Sequence, residues 1–117
     1  MDNKFYVSYE AARLLKEKGY NEECDTTIDD DGELFDEKYL LNQDLPVWRC
    51  SCPTKAEAID WLERNGIMVE TLYKRFELKW FYGILVLSTR ESYSSDDYNT
   101  RLAAEDAAII KALELLQ

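Results

Sequence analysis

The stretch from Pro53 to Ser88 constrains the fold most, because it sets one capped helix in front of two long apolar strands. In Pro53-Thr54-Lys55-Ala56-Glu57, Thr54 stands at the N-cap and Glu57 three residues on completes a capping box, each side chain accepting an otherwise orphan amide of the other. Ala58, Ile59, Trp61 and Leu62 then fall at spacings of three and four, the stripe of an amphipathic helix. Asn65-Gly66 stops it, since glycine accepts the left-handed conformation that ends many helices. Ile67–Tyr73 and Phe76–Ser88 follow as strands rich in β-branched and aromatic residues. From Trp80 to Leu87 both faces are apolar, which predicts a central strand covered on both sides or one face used in association.

Similar signals place the other elements. Ser8 caps a helix over Tyr9–Lys18, with Ala11, Leu14 and Leu15 on one face and Gly19 as its stop. Cys24–Ile28 reads as a strand, turned by Asp31-Gly32 into Glu33-Leu34-Phe35. Residues 40–46 read as loop, and Val47–Cys52 as a strand with Trp48, Cys50 and Cys52 on one face. Thr89–Asn99 reads as a mobile polar loop. A last helix runs from Thr100 to Leu116, with a stripe of Ile109, Ile110, Leu113 and Leu116 and a flank of alanines. The expectation is a single α+β domain over 1–117, in which helices pack on a small antiparallel sheet in the rough order α-β-β-α-β-β-α. A chain of 117 residues buries about two-thirds of its unfolded surface, enough to hold such a domain without staples.

Charge is unevenly spread. Residues 20–45 hold ten acids and one base, a net −9, while the remainder holds fourteen acids and thirteen bases. An acidic hairpin or loop insert therefore sits in a nearly neutral fold. Its field repels nucleic-acid phosphates and anionic membranes and attracts basic protein surfaces. This points to Asp29, Asp30, Asp31, Glu33, Asp36 and Glu37 as partner-binding candidates, with Trp80 and Tyr82 from the aromatic group that also holds Tyr73, Phe76 and Phe81.

Other chemistry is poorly supplied. The chain has no histidine, which removes Ser-His-Asp and Cys-His sites, and its four glycines are isolated, so no phosphate loop forms. Cys24, Cys50 and Cys52 give three thiols with a one-residue spacing, short of a structural zinc site, and an odd number fits reduced thiols in a cytoplasm. Aligning Gly32 to the sixth position of a calcium loop puts Thr27 first and Lys38 twelfth, where a carboxylate is needed. The match fails at both ends and leaves only weak cation binding at a hairpin tip. Acids are plentiful, but only Glu70 and Glu77 fall on the apolar strands, where a raised pKa would suit acid–base work. The apolar runs are too short to span a membrane and the N-terminus lacks the build of a secretory signal.

The set Ser8-Tyr9-Glu10 with Ala12, Leu15-Lys16-Glu17 and Gly19-Tyr20, then Pro53-Thr54 with Ala56, Ala58, Trp61 and Leu62, resembles a group of small proteins of unknown function. These are encoded by gut bacteria and their phages or prophages. The resemblance implies a first helix ending near a Gly-aromatic pair, a second helix, an aromatic strand pair and an Ala/Leu-rich closing helix. It implies no activity and no catalytic residues.

The reading is a cytoplasmic, non-enzymatic binding or regulatory module without cofactor or metal, using its acidic segment on a basic protein partner. A self-associating module, as a homodimer, is the alternative, and a carboxylate-based enzyme comes third.

Overall fold

The computed structural model describes residues 4–116, and at 37–40 the backbone alone. Helix α1 covers Tyr9–Glu17 and starts where the sequence places it: Ser8 Oγ accepts the Ala11 amide at 3.3 Å. Gly19 ends it at φ +95°, as Tyr20 N donates back to the Leu15 carbonyl. Helix α2, Lys55–Arg64, carries the full capping box of Thr54 and Glu57. Helix α3, Arg101–Leu115, is capped by Thr100 Oγ1 on the Ala103 amide.

The α+β class and the element order hold, and the strands divide into two antiparallel sheets. The first holds β1 (Cys24–Asp29), β2 (Leu34–Leu40) and β3 (Arg49–Ser51), ordered β2-β1-β3. The second holds β4 (Ile67–Lys74), β5 (Lys79–Val86) and β6 (Glu91–Ser94), ordered β4-β5-β6. Helix α1 packs on the first sheet, while α3 lies on β4 and β5 and touches α1 and α2. One core runs through this arrangement, from Leu15, Ile28, Cys50 and Cys52 through Trp61 and Leu62 to Ile84, Ile109 and Leu113. Ala104, Ala108 and Ala112 are fully buried, so the small-residue flank serves close packing inside the fold.

Two polar ties join distant segments. Ser8 N donates to Asp106 Oδ1 at 3.0 Å, linking the start of α1 to α3. Lys55 is buried as a residue, and its ammonium donates to the carbonyls of Lys4 (2.6 Å) and Tyr6 (2.7 Å), which offsets the cost of placing a charge there.

Four expectations are corrected. The strand expected from Phe76 begins at Lys79. Residues 75–78 form the β4–β5 turn, with Leu78 at φ +56° and Phe76 90 % exposed. The strand expected over Val47–Cys52 shrinks to Arg49–Ser51, since Arg49 N bonds back to Pro46 O and leaves Val47 in solvent. The polar stretch 89–99 contains β6, which pairs with β5 from Gly83↔Ser94 to Val86↔Glu91. Strand β5 is central within its sheet but covered on one face only, which overturns the reading with both faces covered and leaves the alternative, a face used in association, open. Ile84 is buried beneath the helices, whereas Leu85 on the opposite face is 37 % exposed. Among the described residues, no helix is long and apolar enough to cross a membrane.

Candidate functional site

The acidic segment is an ordered hairpin. Ile28 faces Leu34 across β1–β2, and beyond them Asp29 N donates to Glu33 O at 3.1 Å and Gly32 N to Asp29 O at 2.9 Å. The loop is therefore Asp30-Asp31-Gly32, one residue longer than the Asp31-Gly32 turn expected, with Gly32 at φ +81° as the left-handed residue that three-residue hairpins need.

The acids on this hairpin divide by role. Asp29 is buried, and its Oδ1 accepts the amides of Asp31 (3.0 Å) and Glu33 (2.9 Å), so it holds the turn together. Asp30, Asp31, Glu33 and Asp36 point to solvent. None of these four forms an ion pair among the described residues. Glu37 was a candidate too, but its side chain lies outside the described residues. Elsewhere in the segment, Glu22 is already matched, to Arg64 at 2.9 Å.

An aromatic and basic border adjoins the turn. Arg49, opposite Asp29 in the β1–β3 register, places its guanidinium 4.3 Å from the Phe35 ring centre and 4.8 Å from that of Trp48, a half-exposed ring. Sequence reasoning passed over Trp48 and Phe35 as site residues; the adjacent Trp48-Arg49 pair is the local signal, whereas Phe35 meets Arg49 only through the pairing of both their strands with β1.

Trp80 and Tyr82 do not join this surface. They lie on β5 in the second sheet, where Trp80 packs on Tyr73 with centroids 4.9 Å apart and Tyr82 stacks on Tyr98 at 6.2 Å.

Metal and nucleophile chemistry have little to build on here. Asp29, Asp30 and Asp31 bring carboxylate oxygens within 4.8 Å of one another, so a cation could sit at the tip, but Asp29 Oδ1 is already occupied by two amides. All three cysteines are buried and unbridged. Burial pushes the Cys52 thiol up to about 12 and raises those of Cys24 and Cys50, so all three stay protonated near neutrality, in the unreactive form. Burial likewise raises the Tyr20 phenol, whose hydroxyl lies 3.7 Å from Cys24 Sγ. An open depression of about 440 Å³ separates the hairpin from the start of α3, lined by Tyr6, Tyr9, Ile28, Leu34, Leu102 and Asp106. Its carboxylate, Asp106, is engaged by the Ser8 amide.

No family model, curated protein or solved structure matches this chain.

Proposed function

We propose that the chain is a non-enzymatic protein-binding or regulatory module whose β1–β2 hairpin engages a basic surface on a protein partner, in the cytoplasmic setting suggested by its cysteine usage and short apolar runs and of the phage or prophage origin that its sequence resemblance implies. The observation that carries this reading is the standing of Asp30, Asp31, Glu33 and Asp36: four acids exposed on one ordered hairpin and neutralised by no ion pair among the described residues. Like charges held this close repel one another, and a basic partner relieves that repulsion while being steered by the same field. Because the turn is already fixed by Asp29, binding does not have to order it. The missing histidine and the protonated thiols weigh against nucleophilic or His-based catalysis.

A salt series tests the reading. Affinity for the partner falls steeply as ionic strength rises, and an affinity indifferent to salt rejects the electrostatic mechanism.

A second reading, a self-associating structural module, draws support from the second sheet, whose helix-free face leaves Met68, Leu72 and Leu85 between 37 % and 44 % exposed.

A further inference from the structure

The outer edge of β4 carries a pattern that complements itself. Leu87 N donates to Gly66 O and Leu78 N to Lys74 O, so the even positions of β4 turn their backbone groups toward β5. The odd positions, Val69, Thr71 and Tyr73, turn theirs outward. Among the described residues no other element bonds to these outward groups, and β4 is an eight-residue edge without proline or bulge. Edges of this length are normally blunted by such devices.

The side chains along the helix-free face of this edge read Met68, Glu70, Leu72, Lys74. Glu70 is exposed and forms no ion pair among the described residues. Lys74 reaches over the Phe81 ring to Asp97 at 2.7 Å, a contact that occupies one of its three donors.

We propose that β4 pairs with β4 of a second copy, antiparallel and centred on Leu72. In that register Leu72 meets its own counterpart, and Glu70 of each copy lies opposite Lys74 of the other. These are non-hydrogen-bonded positions, where side chains approach most closely, while the Thr71 and Tyr73 backbones of the two copies exchange hydrogen bonds. Centring on Glu70 instead sets two acids face to face, and centring on Thr71 sets Glu70 against Leu72. Charge complementarity thus selects one register and one occupant, a second copy of this chain. The product is a continuous six-stranded sheet that adjoins the half-exposed Met68 and Leu72 of both copies. This proposal is independent of the acidic-hairpin reading.

Sedimentation equilibrium on the full chain tests it, using wild type, Glu70→Lys, Lys74→Glu, the double exchange and Thr71→Pro. The wild type is expected to dimerise. Each single exchange sets like charges opposite and weakens the dimer by about tenfold, and the double exchange restores it. Thr71→Pro removes an outward amide that β5 does not use, so it gives a monomer with an unchanged circular-dichroism spectrum. The proposal is overturned by a wild type that stays monomeric at high micromolar concentration. It is equally overturned by a dimer that the single exchanges leave intact or the double exchange fails to restore.

Discussion

Asp29 Oδ1 accepts the Glu33 amide at 2.9 Å across the hairpin turn, and the same oxygen takes the Asp31 amide at 3.0 Å. One acid in the acidic segment is thus structural, while its neighbours are surface charges. Asp29→Ala is expected to cost about 2 kcal/mol, since two charge-assisted hydrogen bonds are lost and two amides are left unsatisfied. Asp29→Asn keeps an acceptor oxygen and costs less. Asp30→Asn and Asp31→Asn leave the chemical-denaturation midpoint unchanged. If all four variants unfolded at the same midpoint, Asp29 would have no special role.

The buried thiols set a stability limit at high pH. Cys52 is raised from the ordinary value of 9.0 to about 12, and Cys24, Cys50 and Tyr20 shift in the same direction through burial. The unfolded chain therefore releases these protons first. Their contribution is fully present below pH ~9 and is lost progressively as pH climbs toward ~12. Denaturant midpoints should fall across that window, and the thiols should resist alkylation at pH 8 until the chain unfolds. Rapid alkylation of the folded protein would contradict the burial on which both expectations rest.

Thr27 and Ser51 face each other across β1–β3, both fully buried, and neither hydroxyl finds a hydrogen-bond partner among the described residues. Thr27→Val keeps the shape of the side chain and removes one unsatisfied hydroxyl, for a gain of about 1 kcal/mol, or about 4 °C in Tm. A lower Tm in differential scanning calorimetry would mean that the hydroxyl is satisfied after all.

What was legible in the sequence was local. Ser8, Thr54 with Glu57, and Thr100 act on amides within three residues, so their capping roles could be read directly. Non-local features were hidden. The β4–β5 turn contains neither glycine nor proline, and it depends on Leu78 taking a left-handed conformation that leucine seldom adopts. Strand β6 is a polar Glu-Ser-Tyr-Ser segment that becomes a strand through pairing with β5. The division into two sheets depends on partners far apart in sequence, as β1 skips to β3 across residues 30–48. At the site, the exposed acids were readable from charge density. The different role of Asp29 was signalled only by its place at the first position of a turn closed by Gly32, a position where aspartate binds nearby backbone amides.

The central claim is that the exposed hairpin acids bind a basic protein. Its most direct test is affinity capture from a lysate of the source cell at low and high salt. The comparison is between wild type and a variant carrying Asp30→Asn, Asp31→Asn, Glu33→Gln and Asp36→Asn, with Asp29 kept so that the turn survives. The account predicts a partner held by the wild type, released by salt and lost from the variant. Capture of the same partner by both proteins, or retention indifferent to salt, would contradict it and assign these acids to solvation alone.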